Sequence, residues 1–231
     1  MNETDYPLVS AIMLAGRTPL ELVQAAIKSF VAQTYPYKEL IIINNASSQY
    51  KAAELEISAR KNVYLMDTPV ELSAGMARNY GISAANGKIM AQYDPCFYHN
   101  PKRLESQIVS LVQHEADVSI LTETLTYSFI TNNAGRYSNA LNAILGTMVF
   151  IRPAEIDYDD TVKNEEYSLL HKMKNRGAKL ISMAAPELML RWYYGSRISP
   201  VGTYFPDNYS ELEKTFVKSG LDSIEPIIKT S

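Results

Sequence analysis

The chain has 231 residues, of which 46% are hydrophobic and 20% charged. At roughly 150 residues per domain, this length allows one large domain or two small ones, and the composition excludes a disordered chain. The 22 basic and 25 acidic residues give a net charge of −3, so nucleic acid is not an expected partner. The single cysteine, Cys96, excludes an intrachain disulfide. No apolar run reaches the roughly 18 residues that span a membrane, and the N-terminus does not resemble a secretory signal, so we expect a soluble, cytoplasmic protein.

Short apolar runs alternate with amphipathic segments through the first half of the chain. Runs typical of buried parallel strands occupy 8–14, 40–43, 63–66 and 89–93. A helix is predicted after the first run, with Thr18 as its N-cap and Pro19 at its first position. Further helices are predicted over 48–60, over 73–85 and from Pro101 onward. This alternation predicts an open, mostly parallel sheet flanked by helices.

The second half has a looser pattern. Strands are predicted over 118–126, 147–151, 179–183 and 187–193, and a helix over 164–176. The sequence contains no repeat and no Gly/Ser-rich linker, so we expect one continuous α/β domain over 1–206, followed by a helical tail over 207–231.

Ligands of open α/β sheets bind outside the carboxyl ends of the strands, which directs attention to the loops over 15–18, 44–49, 66–75 and 94–100. The common glycine-rich dinucleotide and P-loop motifs are absent, and so is the serine-hydrolase elbow. The single glycine after Leu14 and Ala15 is too few for the triphosphate nest of a nucleotidyltransferase.

Seven segments follow one another in a consistent order: VSAIM (9–13), QTYP (33–36), ELIIINNASS (39–48), GMARNYG (75–81), PKRL (101–104), GTMVF (146–150) and NEEY (164–167). Together they resemble the inverting glycosyltransferase family 2, whose members have the GT-A fold. The resemblance implies a Rossmann-like nucleotide half over about 8–115 and a smaller acceptor half over about 116–206. It also implies a nucleotide-sugar donor, most often a UDP-sugar, and an acceptor hydroxyl on a saccharide or another molecule.

The resemblance also implies a role for individual residues, each of which has a purely structural alternative. Glu166 falls on the general base, a role that a partly buried carboxylate can fill. Glu165 and Glu166 are equally typical of the first turn of a helix, which its dipole favours. Donor contacts fall on Leu14, Ala15, Asn44, Arg78 and Asp94, and acceptor-side positions on Gly146, Glu165 and Trp192. The structural alternatives are that Asn44 is an ordinary turn residue, that Arg78 is a solvated helix residue and that Trp192 is a core residue.

The metal loop departs from the family pattern. Asp94-Pro95-Cys96 stands where the family has Asp-x-Asp, so Asp94 is the one hard oxygen ligand left for Mn²⁺ or Mg²⁺. A divalent cation is therefore expected to bind weakly, with His99 as a further nitrogen ligand or else as a plain loop histidine. The sequence thus leaves two functions open. Glu166 favours an active transferase, and Cys96 favours a degenerate relative that binds a nucleotide sugar or acts as a scaffold without turnover.

Overall fold

The computed structural model describes residues 7–16, 18–45, 50, 60–128, 133–138, 143–155, 157–193 and 218. The strands in this part of the chain are β1 Val9–Leu14, β2 Lys38–Asn44, β3 Val63–Asp67, β4 Ile89–Gln92, β5 Phe97–His99, β6 Val118–Leu121, β7 Glu123–Ser128, β8 Asn133–Ser138, β9 Val149–Ile151, β10 Leu180–Met183 and β11 Met189–Tyr193. The helices are α1 Leu20–Val31, α2 Ala74–Ala84, α3 Arg103–Gln113 and α4 Glu165–Asn175. Short 3₁₀ turns occupy Leu145–Thr147 and Pro186–Leu188.

The larger sheet confirms the mostly parallel architecture expected from the sequence. Its order in the described residues is β10-β6-β9-β4-β1-β2-β3. β1 pairs in parallel with β2 and β4, β2 with β3, and β6 with β10. β9 is the exception, because it runs antiparallel between β4 and β6. The carboxyl ends of β1, β2, β3 and β4 therefore share one edge, where a ligand site is expected.

Helices cover both faces of this sheet, and β1 shows how. Its alternate residues Ala11 and Met13 lie in one core cluster with α1 and α3, whereas Ile12 lies in a second cluster with α2 and α4. Because both faces of the strand are buried, its sequence is continuously apolar rather than alternating. Burying one side chain such as Ile12 contributes about 2 kcal/mol.

The structure also contains a second sheet, which the sequence analysis does not predict. Its order in the described residues is β5-β11-β7-β8. The single strand predicted over 118–126 is wrong, because the chain leaves the larger sheet after β6 and enters the smaller one as β7. The strand predicted over 187–193 likewise begins as a 3₁₀ turn and becomes extended only at Met189. β5 is three residues long and β8 is largely polar, so neither carries a strand signal.

The helix boundaries predicted from the sequence agree with the described helices, with one correction. α4 begins within one residue of its predicted start, but Thr18 is not an N-cap. Pro19 occupies the cap position of α1 with an extended backbone and no side-chain cap, and its carbonyl accepts from the Leu22 and Val23 amides. Nearly all of the helix predicted over 48–60, and all of the tail except Lys218, lies outside the described residues. No helix in the described part of the chain is long and apolar enough to cross a membrane.

Candidate functional site

The expected ligand edge is built where β1 and β2 end. Leu14 is the last residue of β1 and is half-buried, and Ala15 is fully buried beside it. The Ala15 amide donates to the Ile43 carbonyl at 3.1 Å, so this backbone donor is already used. The two residues lie where the sequence predicts a donor site, and their contact with a donor stays a prediction.

Asn44 ends β2 and has one hydrogen-bonding position left. Its Nδ2 donates to Asp67 Oδ1 at 2.6 Å and to the Tyr50 carbonyl at 3.2 Å, which fixes the orientation of the amide. Its Oδ1 is buried and has no partner among the described residues. Asn44 thus bridges the ends of β2 and β3 and retains an unused acceptor.

Three carboxylates surround the guanidinium of Arg78, which lies on α2 and is 4% exposed. Nη2 donates to Asp94 at 3.2 and 3.3 Å and to Glu166 Oε1 at 3.2 Å, and Nε donates to Glu165 Oε1 at 3.3 Å. The sequence motifs thus meet in space. Arg78 thereby holds the three carboxylates in place, and its buried Nη1 has no hydrogen-bond partner among the described residues. Its contact with a donor diphosphate stays a prediction.

The motif around Arg78 has structural reasons that the sequence alone does not show. A Cβ on Gly75 would lie 1.8 Å from the Asp159 carbonyl oxygen, so only glycine lets α2 approach this backbone. Asn79 then donates to the Tyr158 carbonyl and accepts from the Tyr158 amide, both at 2.9 Å. These contacts fix α2 against the segment that leads into α4, and so bring Arg78 to Glu165 and Glu166.

Burial and neighbouring charges change the pKa values of Arg78 and Glu166 in different ways. Burial would lower the pKa of Arg78, but Asp94 and Glu166 raise it well above its usual value, so it stays charged. Burial raises the pKa of Glu166 to about 7; Arg78 opposes this rise, and Asp94 and Glu165 add to it. Glu166 has 22% of its side chain exposed, compared with 10% for Glu165. Glu166 is therefore the carboxylate that is suited to exchange a proton near neutral pH.

A gap beside Gly146 faces two of these carboxylates. Gly146 lies in the 3₁₀ turn before β9, and a Cβ added to it would lie 3.7 Å from Asp94 Oδ2, from Glu166 Oε1 and from Cε2 of Phe97. These are ordinary contact distances, so the space in front of Gly146 is bounded by the two acids and an aromatic ring. A methyl-sized group in this space would therefore lie at van der Waals distance from Glu166.

Arg191 is a residue that the sequence prediction missed. It lies on β11 opposite Phe97 of β5, and its guanidinium carbon is 5.7 Å from the centre of that ring. Its charge lowers the pKa of both Glu166 and Cys96, although burial outweighs this effect in each case. The signal in the sequence is weak, because one arginine in an apolar strand is also typical of an exposed edge.

The residues of the altered loop do not fit a resident divalent cation. Both oxygens of Asp94 accept from Arg78, and Cys96 offers a half-buried thiol. Burial, with Asp94 as the next cause, raises the pKa of this thiol to about 12, which keeps it protonated and a poor ligand for a hard cation. Within the described residues, no group of His, Cys, Asp and Glu side chains could hold a metal ion.

Burial bears on two further residues that the sequence analysis names. His99 is fully buried and both ring nitrogens are hydrogen-bonded, to Arg103 at 2.9 Å and to the Asp94 carbonyl at 3.2 Å, so it is not a metal ligand. Trp192 is 3% exposed and packs in a core cluster with Leu22 and Leu125, so it offers no open face to an acceptor sugar. Glu165, also predicted on the acceptor side, is 8% exposed and pairs with Arg78.

Comparison with known proteins agrees with this architecture. The sequence profile described as glycosyl transferase family 2 matches residues 12–173. An uncharacterized glycosyltransferase of Methanocaldococcus jannaschii is 29% identical over 124 residues, which cover 52% of this chain and 42% of that protein. The crystal structure of S. aureus TarS superposes with a TM-score of 0.65 at 13% identity, over 95% of this chain and 44% of that one.

A shorter TarS chain in complex with UDP gives a TM-score of 0.64 at 12% identity, over 97% of this chain and 73% of that one. At such identities the likeness to TarS shows the fold alone. This chain spans less than half the length of the Methanocaldococcus relative and of the longer TarS chain.

Proposed function

The chain belongs to glycosyl transferase family 2, and we propose that it transfers a sugar from a nucleotide-diphosphate donor to an acceptor hydroxyl, with inversion at the anomeric carbon. The observation that carries this proposal is Glu166, a partly exposed carboxylate whose pKa is raised to about 7 and which faces the gap beside Gly146. A base with this pKa is half ionised near neutral pH, where it accepts a proton readily.

In the proposed reaction, Glu166 takes the proton of the acceptor hydroxyl as its oxygen attacks the anomeric carbon. The new carbon–oxygen bond forms while the bond to the diphosphate oxygen breaks, and its electron pair leaves with the diphosphate. Inversion follows because attack and departure occur on opposite faces of the sugar carbon. Arg78 keeps Glu166 and Asp94 in fixed positions through the 3.2 Å hydrogen bonds from its Nη2.

The departing diphosphate needs positive charge near the gap, and we assign this role to Arg191. Arg191 is half-buried, its guanidinium carbon lies 5.7 Å from the centre of the Phe97 ring, and its charge acts on Glu166. A guanidinium suits phosphate oxygens because its N–H groups form a planar fork.

The donor nucleotide is proposed to contain uracil. The buried Oδ1 of Asn44 is an acceptor without a partner among the described residues, so a base that reaches it would present an N–H donor. Uracil has such a donor at N3, whereas cytosine has an acceptor there. The UDP bound by a structural relative at 12% identity is consistent with this choice.

A second function, nucleotide-sugar binding without turnover, is favoured by one observation. Cys96 replaces an oxygen ligand, and the remaining Asp94 is engaged by Arg78. This alternative shares the donor site with the first proposal and differs only in the chemical step. A turnover assay therefore distinguishes the two functions, whereas a binding assay does not.

Calorimetric titration with UDP, CDP and GDP, followed by a UDP-release assay with a panel of UDP-sugars and acceptors, tests the proposal. We expect UDP to bind more tightly than CDP, and UDP release that depends on an added acceptor. Binding without release under every donor and acceptor pair would support the alternative function. Absence of binding by UDP, CDP and GDP at millimolar concentration would contradict both.

A further inference from the structure

A buried polar network lies beneath the Asp94 loop, and its centre is Arg103, the first residue of α3. Arg103 is fully buried, and its guanidinium carbon is 5.4 Å from the centre of the Tyr93 ring. Nη1 donates to His99 Nδ1 at 2.9 Å, Nε to Gln107 Oε1 at 3.1 Å, and Nη2 to the Thr147 carbonyl at 3.3 Å. Among the described residues, none of its hydrogen-bond acceptors is a carboxylate. Its direct hydrogen-bond partners are thus neutral groups. Burial lowers the pKa of Arg103 to about 10, and Tyr93 and the Asp94 charge oppose this effect.

The contact with Arg103 determines which nitrogen of His99 carries a proton. A guanidinium only donates hydrogen bonds, so His99 Nδ1 must accept, and in the neutral ring the proton lies on Nε2. Nε2 then donates to the Asp94 carbonyl at 3.2 Å. Stacking on Tyr93, with ring centres 3.7 Å apart, holds the imidazole in this orientation. One arm of the network thus runs from Arg103 through His99 to the backbone of Asp94.

The other arm reaches the opposite wall of the gap. The Thr147 carbonyl accepts from Arg103 and also from Gln107 Nε2 at 2.9 Å. Thr147 follows Gly146 directly, and its Oγ1 accepts from the Leu121 amide at 2.8 Å. A single guanidinium therefore ties together the two backbone segments that carry Asp94 and Gly146.

An arginine in this position carries a cost that packing alone does not explain. Removing a charge from water is expensive, and well-packed apolar residues in place of buried ionic groups are often neutral or stabilising. Arg103 has no hydrogen-bonded carboxylate among the described residues. Its hydrogen bonds go instead to His99, to the side-chain amide of Gln107 and to the Thr147 carbonyl.

We propose that Arg103 is a positioning residue, which sets the width of the gap between Asp94 and Gly146 through His99 and through the Thr147 carbonyl. The inference rests on the proposed function, because Glu166, the proposed base, borders this gap. His99 is the second positioning residue, since it passes the constraint from Arg103 to Asp94.

The test compares variants that break the network with one that rebuilds it. Arg103→Lys keeps the positive charge but loses the planar set of guanidinium N–H donors. His99→Leu removes the hydrogen bonds that link Arg103 to the Asp94 carbonyl. In His99→Gln, Oε1 can accept from Arg103 while Nε2 donates to the Asp94 carbonyl. Ser10→Ala is the control: Ser10 lies at the amino end of β1, where its hydroxyl donates to Glu39 at 2.5 Å and accepts from the Gly87 amide, so its loss destabilises the fold far from the gap.

Three measurements are made on each variant: the melting temperature, UDP affinity by calorimetry, and the titration of Glu166 by carbon NMR of its carboxyl group. We expect Arg103→Lys and His99→Leu to weaken UDP binding about tenfold, or 1.4 kcal/mol, and to move the Glu166 titration. We expect His99→Gln to restore both, and Ser10→Ala to change only the melting temperature.

Two outcomes are decisive. If Arg103→Lys and His99→Leu lower the melting temperature but leave UDP affinity and the Glu166 titration as in the wild type, their role is structural and the inference fails. If the wild-type chain binds none of UDP, CDP and GDP, the proposed function fails by itself. In that case the Glu166 titration, which needs no ligand, still decides whether Arg103 positions the gap.

Discussion

Nη2 of Arg78 lies 3.2 Å from Oε1 of Glu166 and thereby joins the middle of α2 to the first turn of α4. The same nitrogen also contacts Asp94, so one guanidinium orients both acids that border the gap. The ion pair favours ionised Glu166, whereas burial and the neighbouring acids favour the protonated form, and the second effect is larger. A carboxylate in this balance is fixed in place and still able to take up a proton.

Glu166→Gln tests the proposed base. Glutamine keeps the shape and can still hydrogen-bond to Arg78, but it cannot accept the acceptor's proton. We expect turnover in the UDP-release assay to fall about 100-fold or more, with UDP affinity unchanged. Glu165→Gln is the matched control, because Glu165 is a buried partner of Arg78 one residue away. A larger loss of turnover in Glu165→Gln than in Glu166→Gln would assign the base to Glu165.

The raised pKa of Glu166 predicts opposite effects of pH on activity and on stability. Transfer should increase as the pH rises through about 7, because the base is then ionised. Stability should decrease between the usual pKa of 4.5 and the raised value near 7, because the folded protein retains a proton that the unfolded chain has lost. The loss is about 3 kcal/mol, since one pKa unit corresponds to roughly 1.4 kcal/mol.

Thermal unfolding of the wild type and of Glu166→Gln, at about pH 5 and about pH 8, measures this second effect. We expect the variant to gain in relative stability at the higher pH. Equal differences in melting temperature at the two pH values would contradict a raised pKa in the folded protein.

Gly146→Ala tests the gap itself. The added methyl group meets its neighbours at 3.7 Å, so the melting temperature should not change. The methyl group would occupy the space between Asp94 and Glu166, and we expect transfer to fall by about tenfold or more, equivalent to 1.4 kcal/mol in the barrier. Unchanged transfer would place the acceptor elsewhere. Gly75→Ala provides the contrast, since its methyl group would overlap the Asp159 carbonyl and should destabilise the fold.

Cys96→Asp tests the altered loop. The substitution adds a second carboxylate near Asp94, and carboxylate oxygens are the ligands that Mn²⁺ prefers. We expect the variant to show UDP binding that Mn²⁺ strengthens, and the wild type to show UDP binding that a chelator reduces only slightly. The result that contradicts this prediction is a wild type that loses UDP binding on chelation while Cys96→Asp changes nothing.

Arg191→Ala tests the cation proposed for the diphosphate. We expect a tenfold or greater loss of UDP affinity, on the order of 1.5 kcal/mol or more for a charge-assisted hydrogen bond, and a smaller loss in Arg191→Lys. Uridine, which has no phosphate, is the control ligand, and its affinity should not depend on residue 191. Equal losses for UDP and uridine would show that Arg191 acts through the fold and not through the diphosphate.

The sequence predicts those parts of the molecule that depend on local pattern. Continuous apolar runs predict β1, β2 and β4, and the order of short motifs predicts the family. Burial of a side chain depends on contacts between distant segments, which a local pattern does not show. Trp192 and His99 look available in the sequence, but the smaller sheet and α3 enclose them.

The candidate site shows the same contrast between local motifs and contacts between distant segments. The motifs identify Arg78, Asp94, Glu165 and Glu166, but nothing in their spacing shows that one guanidinium binds all three acids. Arg191 lacks a motif altogether, because its position depends on the antiparallel pairing of β11 with β5.

The contact between Arg78 and Glu166 spans 88 residues of sequence, and this separation orders the events of folding. The central strands β1, β2 and β4 are complete by Gln92, so they can pair while the ribosome is still adding the second half of the chain. Of the three carboxylates that contact Arg78 in the described part of the chain, Asp94 is the one that precedes α4. The nucleotide-binding half is therefore expected to fold first, and the proposed catalytic base to arrive last.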